Sequence, residues 1–374
     1  MYRLLFANAA QRRARRVPIV LLCCVALVTL LLAACSGGTT PPSPSSDAAL
    51  TVPVNGFGVA ANHVHSMIVL PDHVVLLATH YGFFRSTNDG QSWTKVAGGT
   101  HQPMYGSMSY SLTQSPLNSR RFYVLTLPSQ ATHDTLGLYT SADEGRTWTL
   151  ASAATTIPSS YLFFVAAGNQ TPDQLYLYLP DHGTTGLWMS KDDGRHFAPV
   201  GKLPFGNLLG LLVVPGAPGH LIAYGDDGVA SSSDGGQHWQ ALKGITGGVS
   251  DMVTAGPGSP IYASGDAGVM VSSNGGATFS MVNEQASYAA LTVSPTQSQV
   301  LYGKTGLAVY RSSNGGRTWQ ALPHISGNLA VLAVNPANPS QVYLSLSYPT
   351  AVYVLGTSGS SWLSLTPTVK QGQA

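Results

Sequence analysis

Short apolar runs alternate with polar turns along most of this chain, and after residue 55 no stretch carries the spacing of an amphipathic helix. Runs of roughly four to six residues, bounded by Gly, Pro, Asn and Ser, are typical of β-strands. Residues 288–322 show the pattern plainly, with predicted strands at 288–293, 300–303, 307–311 and 319–322. The pattern therefore predicts an all-β fold.

The same group of strands recurs around a short motif, S-x-[DN]-x-G-x-x-[WF]. It occurs six times, at 86–93, 141–148, 190–197, 232–239, 272–279 and 312–319, and residues 357–362 keep only its Gly and its aromatic residue. The aromatic positions are 55, 49, 42, 40, 40 and 43 residues apart, close to the ~40–50 residues of a four-stranded propeller blade. Counting units from residue 65 to residue 365 predicts a seven-bladed β-propeller of four-stranded antiparallel blades.

Each residue type that recurs in the motif has a structural role. The Asp or Asn can cap backbone N–H groups of a tight turn, the Gly can adopt a positive φ, and the aromatic ring can fill the space between sheets. We therefore interpret the motif as scaffold and not as a ligand site. Its structural residues are Asn88, Gly90, Trp93, Asp143, Gly145, Trp148, Asp192, Gly194, Phe197, Asp234, Gly236, Trp239, Asn274, Gly276, Phe279, Asn314, Gly316 and Trp319.

The motif resembles the Asp-box, or bacterial neuraminidase repeat, over roughly residues 59–366. Asp-box turns occur in the β-propellers of sialidases, xyloglucan hydrolases, the sortilin ectodomain and photosystem II assembly factors. The resemblance implies a fold and not one chemistry, because these proteins share the scaffold alone. A count of seven units is most similar to the assembly-factor, sortilin and xyloglucanase-type propellers.

The N-terminus predicts export. Four arginines within residues 11–16 precede an uncharged apolar run, 17–34, that ends Leu-Ala-Ala before Cys35, the layout of a secretory signal peptide. The ending resembles a bacterial lipobox, which implies acylation of Cys35 and anchoring to the outer face of the cell membrane; an uncleaved signal anchor is the alternative. We predict a lipoprotein signal peptide at 1–34, a Ser/Pro/Gly-rich tether at 35–54, the propeller at 55–367 and a disordered tail at 368–374.

Composition narrows the function further. Only 9% of residues are charged, and from residue 35 onward 13 Lys and Arg face 16 Asp and Glu, a net charge of −3. A weakly acidic domain of this kind excludes a nucleic-acid binder that relies on a basic surface. All three cysteines lie at or before residue 35, so the exported domain has no disulfide, thiol nucleophile or Cys-based metal site.

Catalysis is the weaker expectation. A sialidase-like site needs an arginine triad, but five of the seven arginines after the signal lie in or beside the repeated motifs, and Arg120 and Arg121 map to another turn on the same face. Glutamate is confined to Glu144 and Glu284. A glycosidase carboxylate pair would therefore have to come from Asp residues such as Asp181, Asp226, Asp227, Asp251 and Asp266. Resemblance to the xyloglucan hydrolases implies two Asp in a cleft between tandem propellers, and this chain has room for one propeller.

We therefore predict a monomeric, non-catalytic binding or assembly scaffold for a protein or a glycan, without a cofactor. The alternative is an exo-acting glycoside hydrolase, either sialidase-like or an Asp-dependent glucanase.

Histidine is unevenly distributed and marks a candidate binding face. Seven of the 11 His residues map to loops that enter the innermost strand or join the second and third strands, which share one face of a propeller. His63 and His65 should point the same way on an extended segment. Because loops of different blades are far apart, we expect no metal site. The candidate binding residues are His63, His65, His80, Tyr81, His101, Asp181, His182, Asp226 and Asp227.

Overall fold

The computed structural model describes residues 62–129, 135–159, 162–242, 244–306, 308–347 and 350–365. Contacts divide the chain into the units Met1–Thr51 and Val52–Ala374, and every described residue belongs to the second. Cys35, the predicted signal peptide, the tether and the predicted tail lie outside the described residues. Within the described part of the chain, no helix is long and apolar enough to cross a membrane.

The described residues form seven four-stranded antiparallel sheets, which confirms the predicted seven-bladed β-propeller. Each blade is one continuous piece of sequence in which consecutive strands pair. Blades 1 to 3 contain β1 (Val64–Val69), β2 (Val75–Thr79), β3 (Gly82–Ser86), β4 (Thr94–Ala97); β5 (Ser107–Ser115), β6 (Asn118–Pro128), β7 (Gly137–Ser141), β8 (Thr149–Ala153); and β9 (Phe164–Ala167), β10 (Leu175–Tyr178), β11 (Leu187–Ser190), β12 (Ala198–Pro199).

The remaining four blades follow the same plan. They contain β13 (Gly210–Val213), β14 (Leu221–Gly225), β15 (Gly228–Ser232), β16 (Gln240–Ala241); β17 (Val249–Thr254), β18 (Ile261–Gly265), β19 (Gly268–Ser272), β20 (Ser280–Asn283); β21 (Ala290–Val293), β22 (Leu301–Lys304), β23 (Val309–Ser312), β24 (Gln320–Ala321); and β25 (Leu329–Asn335), β26 (Asn338–Leu346), β27 (Ala351–Leu355), β28 (Trp362–Ser364). Two short 3-10 helices, Ala154–Thr156 and Pro180–Thr185, interrupt the strands.

The first strand of each blade contacts the first strands of the blades on both sides, and β1 contacts β25. The first strands thus form a closed inner ring. The outermost strands are short, with only two residues in β12, β16, β24, and this leaves little unpaired edge.

Burial is greatest in the second strands. All five residues of β2, β14 and β18 are buried, as are all four of β10. Strands buried on both faces read as continuous apolar runs, because neighbouring blades cover each side of the sheet. The core is therefore a series of layers between blades, one for each neighbouring pair.

The ring closes between blades 7 and 1 by side-chain packing. Val75, Leu77 and Phe84 of blade 1 pack in one cluster with Tyr343 and Val352 of blade 7. Trp93 Nε1 also donates a hydrogen bond to the carbonyl of Leu365 (3.1 Å). Among the described strands, none crosses from one end of the chain into the sheet of the other.

Candidate functional site

The six repeated turns join the third and fourth strands of blades 1 to 6, and their polar groups bond within the turn. In blade 5, Ser272 Oγ accepts a hydrogen bond from the Gly276 amide (2.8 Å) and donates one to Asn274 Oδ1 (2.8 Å). Asn274 Oδ1 also accepts from the Thr278 amide (3.0 Å). The same three bonds recur in the other five turns. We call these six segments the repeat turns.

The glycine of each repeat turn combines positive φ with close packing. Gly276 has φ +92°, and a Cβ there would lie 2.3 Å from Ile222 Cδ1 of the preceding blade. Gly194 has φ +82°, with the same 2.3 Å separation from Leu138 Cδ2. A side chain at either position would therefore strain the backbone and push two blades apart.

The residue before this glycine is also left-handed, a feature that the sequence analysis missed. Asp89, Glu144 and Asp193 have φ of 57°, 62° and 66°. Each ties its turn to the preceding blade: Asp89 Oδ1 accepts from Tyr343 (3.2 Å), Glu144 pairs with Arg85 (3.6 Å) and Asp193 pairs with Arg121 (2.9 Å). The other three turns carry glycine at this position.

The aromatic residues of the motif are less buried than predicted. Trp148 is only 3% exposed and its ring lies 4.7 Å from that of Phe83. The other five are half-buried, namely Trp93, Phe197, Trp239, Phe279 and Trp319. Trp148 is a buried member of the core cluster between blades 1 and 2, whereas the other five rings pack against the edges of such clusters and stay partly exposed.

The face opposite the repeat turns is formed by the starts of the first strands and by the turns between second and third strands; we call it the upper face. All nine candidate binding residues lie in these segments. They are nevertheless spread over several blades. His63, His65, His80 and Tyr81 belong to blade 1, His101 to the connection into blade 2, Asp181 and His182 to blade 3, and Asp226 and Asp227 to blade 4.

Three of the histidines meet in blade 1. The ring centroids of His63 and His65 are 4.4 Å apart, and those of His63 and His80 are 4.8 Å apart. One ring nitrogen from each of the three lies within 4.8 Å of those of the other two. We call this group the His cluster.

Strand pairing explains why these residues converge. The start of β1 pairs with the end of β2, with Val64 opposite Thr79, and the His80 amide donates to the His63 carbonyl (2.9 Å). A β-bulge between Val64 and Ser66 adds His65 as an extra residue. Bulges of this kind redirect a side chain, and here the redirected ring stays beside its two neighbours.

The cluster is buried and poor in hydrogen bonds. His63 and His80 are 7% and 5% exposed, and the buried atoms His65 Nε2 and His80 Nδ1 have no hydrogen-bond partner. Leaving such an atom unpaired costs about 1–3 kcal/mol. Aromatic rings complete the surroundings: Tyr110 lies 5.1 Å from His65, and Tyr81 lies 4.8 Å from His80.

Burial also controls the charge of these imidazoles. Desolvation, followed by the neighbouring His63 and His80, holds the pKa of His65 well below its usual value. Desolvation and His63 lower the pKa of His80 to about 4. Both rings are therefore neutral near pH 7, which is the form that binds metal ions.

The expectation of no metal site rested on the distance between blades, and that reason does not apply here. His63, His65 and His80 come from a single blade, so their separation is set by one hairpin. The sequence placed seven histidines on one face but could not supply the strand register that brings these three together.

The candidate residues of blade 3 form a separate group. Ser159 Oγ donates to Asp181 Oδ1 (2.6 Å), and His182 Nε2 lies 2.5 Å from the Pro158 carbonyl. The His182 ring packs against Trp188 at 5.5 Å. These contacts hold the Pro180–Thr185 segment in place.

Carboxylates approach one another between blades 4 and 5. Desolvation, and then the charges of Asp227 and Asp266, raise the pKa of Asp226. The turns that hold them are adjacent, because Asp226 packs on Gly248 and Asp266 packs on Gly247. A carboxylic acid of raised pKa beside another carboxylate is the kind of pair that glycosidases use.

The second-strand tyrosines are structural residues that the sequence analysis missed. Five of the seven second strands carry a fully buried tyrosine at the same place, namely Tyr123, Tyr176, Tyr262, Tyr302 and Tyr343. Several hydroxyls bond the next blade; Tyr176 donates to the Gly235 carbonyl (3.2 Å) and Tyr302 to the Pro339 carbonyl (3.0 Å). The available signal was an apolar residue followed by Tyr in the second strands of blades 2, 3, 5, 6 and 7.

No family model matches this sequence, and no curated protein matches it. Solved structures do resemble the chain. The crystal structure of the Niastella koreensis GH74 enzyme superposes with a TM-score of 0.64 at 14% identity, over 82% of this chain and 55% of that one. The GH74 xyloglucanase from Xanthomonas campestris gives a TM-score of 0.61 at 17% identity, over 80% of this chain and 52% of that one.

A second group of similar structures is matched over nearly its whole length. YCF48 bound to D1 peptide gives a TM-score of 0.57 at 14% identity, over 78% of this chain and 93% of that one. YCF48 from Cyanidioschyzon merolae gives 0.56 at 12% identity, over 78% and 95%. At these identities the likeness shows a shared fold. The chain spans about half the length of the GH74 enzymes that it resembles.

Proposed function

We propose that this protein is an exported Asp-box β-propeller lipoprotein that binds a protein segment or a glycan on its upper face without transforming it. The observation that carries the proposal is the contrast between the two faces. On the repeat-turn face, six turns bond their own polar groups and pack onto the preceding blade. The upper face holds the polar and aromatic residues that those turns do not use.

Loop chemistry on the upper face suits recognition. Half-buried Tyr81, Tyr105 and Phe205 lie there with exposed His101, and aromatic side chains give a large contact area at low entropic cost. Loops carried by a rigid ring are a common place for binding residues. The likeness to YCF48, seen bound to D1 peptide and matched over 93% of its chain, supports a single propeller that binds a peptide.

Site-specific photocrosslinking tests which face binds. Benzoylphenylalanine replaces Tyr105 or Phe205 on the upper face, and Arg195 or Arg317 in the repeat turns serves as the matched control. We expect discrete adducts in native membranes from the upper-face positions alone. Adducts from the repeat-turn positions alone would place binding on the wrong face and refute the proposal.

A glycoside hydrolase is the second candidate, and the raised pKa of Asp226 beside Asp266 favours it. The GH74 enzymes share the fold, although this chain spans only about half of their length. Incubation with xyloglucan oligosaccharides and with sialosides tests the idea. We expect no turnover; turnover that Asp226→Asn or Asp266→Asn abolishes would replace the scaffold proposal with the hydrolase.

Anchoring rests on the Leu-Ala-Ala ending before Cys35 and on the arginine-rich segment ahead of it. Metabolic palmitate labelling of the wild type and of Cys35→Ser tests it. We expect the wild type to be labelled and membrane-bound and the variant to be unlabelled and released. A wild type that takes up no label and keeps residues 1–34 is a signal-anchored protein instead.

A further inference from the structure

Three imidazole rings converge in blade 1. One ring nitrogen each from His63, His65 and His80 lies within 4.8 Å of the other two. Two buried ring nitrogens, His65 Nε2 and His80 Nδ1, neither accept nor donate a hydrogen bond. A buried polar atom without a partner destabilises the fold, and an ion bound among the three rings would supply partners for such atoms.

Both the donor type and its surroundings select a class of ligand. Imidazole nitrogen suits Zn²⁺, Cu²⁺ and Ni²⁺, whereas Ca²⁺ and Mg²⁺ prefer carboxylate and carbonyl oxygen. Among the described residues, the cluster consists of three histidines and includes no carboxylate. Such a site would discriminate strongly against the hard cations.

We propose that His63, His65 and His80 form a binding site for one divalent transition-metal ion of the Zn²⁺ or Cu²⁺ type. Three protein ligands leave a fourth position of a tetrahedral ion for water or an external group. The proposal does not rest on the scaffold function, since a metal site in blade 1 is compatible with either candidate function.

Geometry allows the three nitrogens to close around an ion. Tetrahedral zinc with Zn–N bonds of about 2.0–2.1 Å places its nitrogen ligands roughly 3.3 Å apart. The nitrogens here are separated by at most 4.8 Å. A displacement of about 1 Å for each nitrogen, through side-chain rotation, brings them to the tetrahedral spacing. The backbone is already fixed by the Val64–Thr79 pairing and the His80–His63 hydrogen bond.

Metal titration of the purified full chain tests the site. After treatment with EDTA and its removal, calorimetry with Zn²⁺ should show one tight equivalent, and the melting temperature should rise with added Zn²⁺. His65→Ala and His80→Ala should each weaken that binding by at least about 100-fold, because each removes a ligand and not merely a supporting group. Added Ca²⁺ or Mg²⁺ should not compete.

His73→Ala is the matched control. His73 lies in the turn at the other end of the β1–β2 hairpin, is exposed and contacts Asp89 (2.6 Å), so its loss should leave the tight equivalent unchanged. Equal weakening by His73→Ala, or undiminished binding in the His65 and His80 variants, would show that any bound Zn²⁺ sits elsewhere and would overturn the proposal.

A spectroscopic measurement on the wild type covers the case in which the variants fail to fold. Cu²⁺ bound at one equivalent should give an electron paramagnetic resonance spectrum with hyperfine splitting from three imidazole nitrogens. A spectrum of hydrated Cu²⁺, or of one or two nitrogens with carboxylate oxygen, would contradict the three-histidine site. Crosslinking on the upper face and metal binding can each fail without the other, which keeps the two proposals separable.

Discussion

At the residue scale, the repeat turns show how one strained position is tolerated. The residue before the turn glycine is left-handed in all six turns, and in three of them it is Asp or Glu. Such a conformation is uncommon for a residue with a side chain. The side chain compensates by bonding the preceding blade, as Asp193 does with Arg121 and with the Tyr123 hydroxyl (2.7 Å).

The inter-blade bond of Asp193 gives a first prediction. Asp193→Asn tolerates the same backbone but removes the ion pair with Arg121, and we expect a loss of about 1.5–3 kcal/mol in unfolding free energy, the range for a hydrogen bond to a charged group. Urea denaturation measures it. Lys191→Gln, an exposed change in the same turn, is the control and should have no effect. Equal stability of both variants would mean that Asp193 does not link the blades.

Sequence reasoning reached only part of the residue-scale picture. The motif spacing predicted the capping Asp or Asn and the positive-φ glycine, because those roles restrict residue type strongly. Sequence analysis did not predict the left-handed backbone of Asp89 and Glu144. Acidic residues there are stabilised by tertiary contacts that no local sequence pattern encodes. The meeting of His80 with His63 and His65 was also not predicted, because it depends on the register between β1 and β2.

At the element scale, the strands agree with the pattern to within a few residues. The predicted strand 288–293 is β21 (Ala290–Val293), and the predicted 319–322 shortens to Gln320–Ala321. Outer strands shorten because only one side of each is paired, so the last residues lack a ladder partner. Periodicity predicts which segments are strands but not where an exposed edge stops pairing.

Burial of the motif aromatic differs between blades, and stability should follow it. Trp148→Ala should cost about 3–5 kcal/mol, the range for emptying a buried large aromatic site, because Trp148 is 3% exposed and packs on Phe83. Trp239→Ala, at a half-buried position, should cost clearly less. Thermal melts compare them. An unshifted melting temperature with lost binding in Trp148→Ala would contradict the structural role of the motif.

Acid should weaken the repeat turns that contain Asp. Backbone and side-chain hydrogen bonds from His238 lower the pKa of Asp234 to about 2. For Asp192, burial acts to raise the pKa, but hydrogen bonds from His196 and Ser190 outweigh it and lower the pKa to about 2. Since the unfolded chain binds protons more readily near pH 3.8, this stabilisation is present above pH 4 and is lost as the pH falls through about 2.

The double variant Asp192→Asn/Asp234→Asn isolates that contribution. Asn occupies the same position in three natural turns, at 88, 274 and 314, so the fold should persist. Between pH 4 and pH 2, its unfolding free energy should fall less steeply than that of the wild type. Parallel curves over this interval would mean that the two carboxylates contribute nothing to acid sensitivity.

At the scale of the whole molecule, blade number was predictable and ring closure was not. The six repeat turns and the partial motif at 357–362 each mark one sheet, and together they predict seven blades. Closure depends on which residues of blade 7 meet blade 1, and these are ordinary apolar residues such as Val352 and Leu77. Nothing in their sequence distinguishes them from the residues between other blades.

Because blades 7 and 1 share no strand, we predict that the ring tolerates new chain ends. Each hydrogen-bonded sheet is contiguous in sequence, and Leu365 already lies against Trp93 of blade 1 (3.1 Å). A circular permutant that joins residue 374 to residue 52 through a Gly/Ser linker, with new ends between the exposed Glu284 and Gln285, keeps every blade intact. Chain ends that are exposed and lie between compact units are those at which permutation succeeds.

We expect this permutant to fold with a circular dichroism spectrum and a melting temperature within a few degrees of residues 52–374 carrying the same linker at the C-terminus. The expectation follows because the cut removes no ladder hydrogen bond and no inter-blade contact. The new link joins the two chain ends and leaves the packing between blades 7 and 1 in place. If the permutant loses cooperative unfolding while the linear control keeps it, packing between neighbouring blades is not enough to close the ring. The order of the blades along the chain would then also matter.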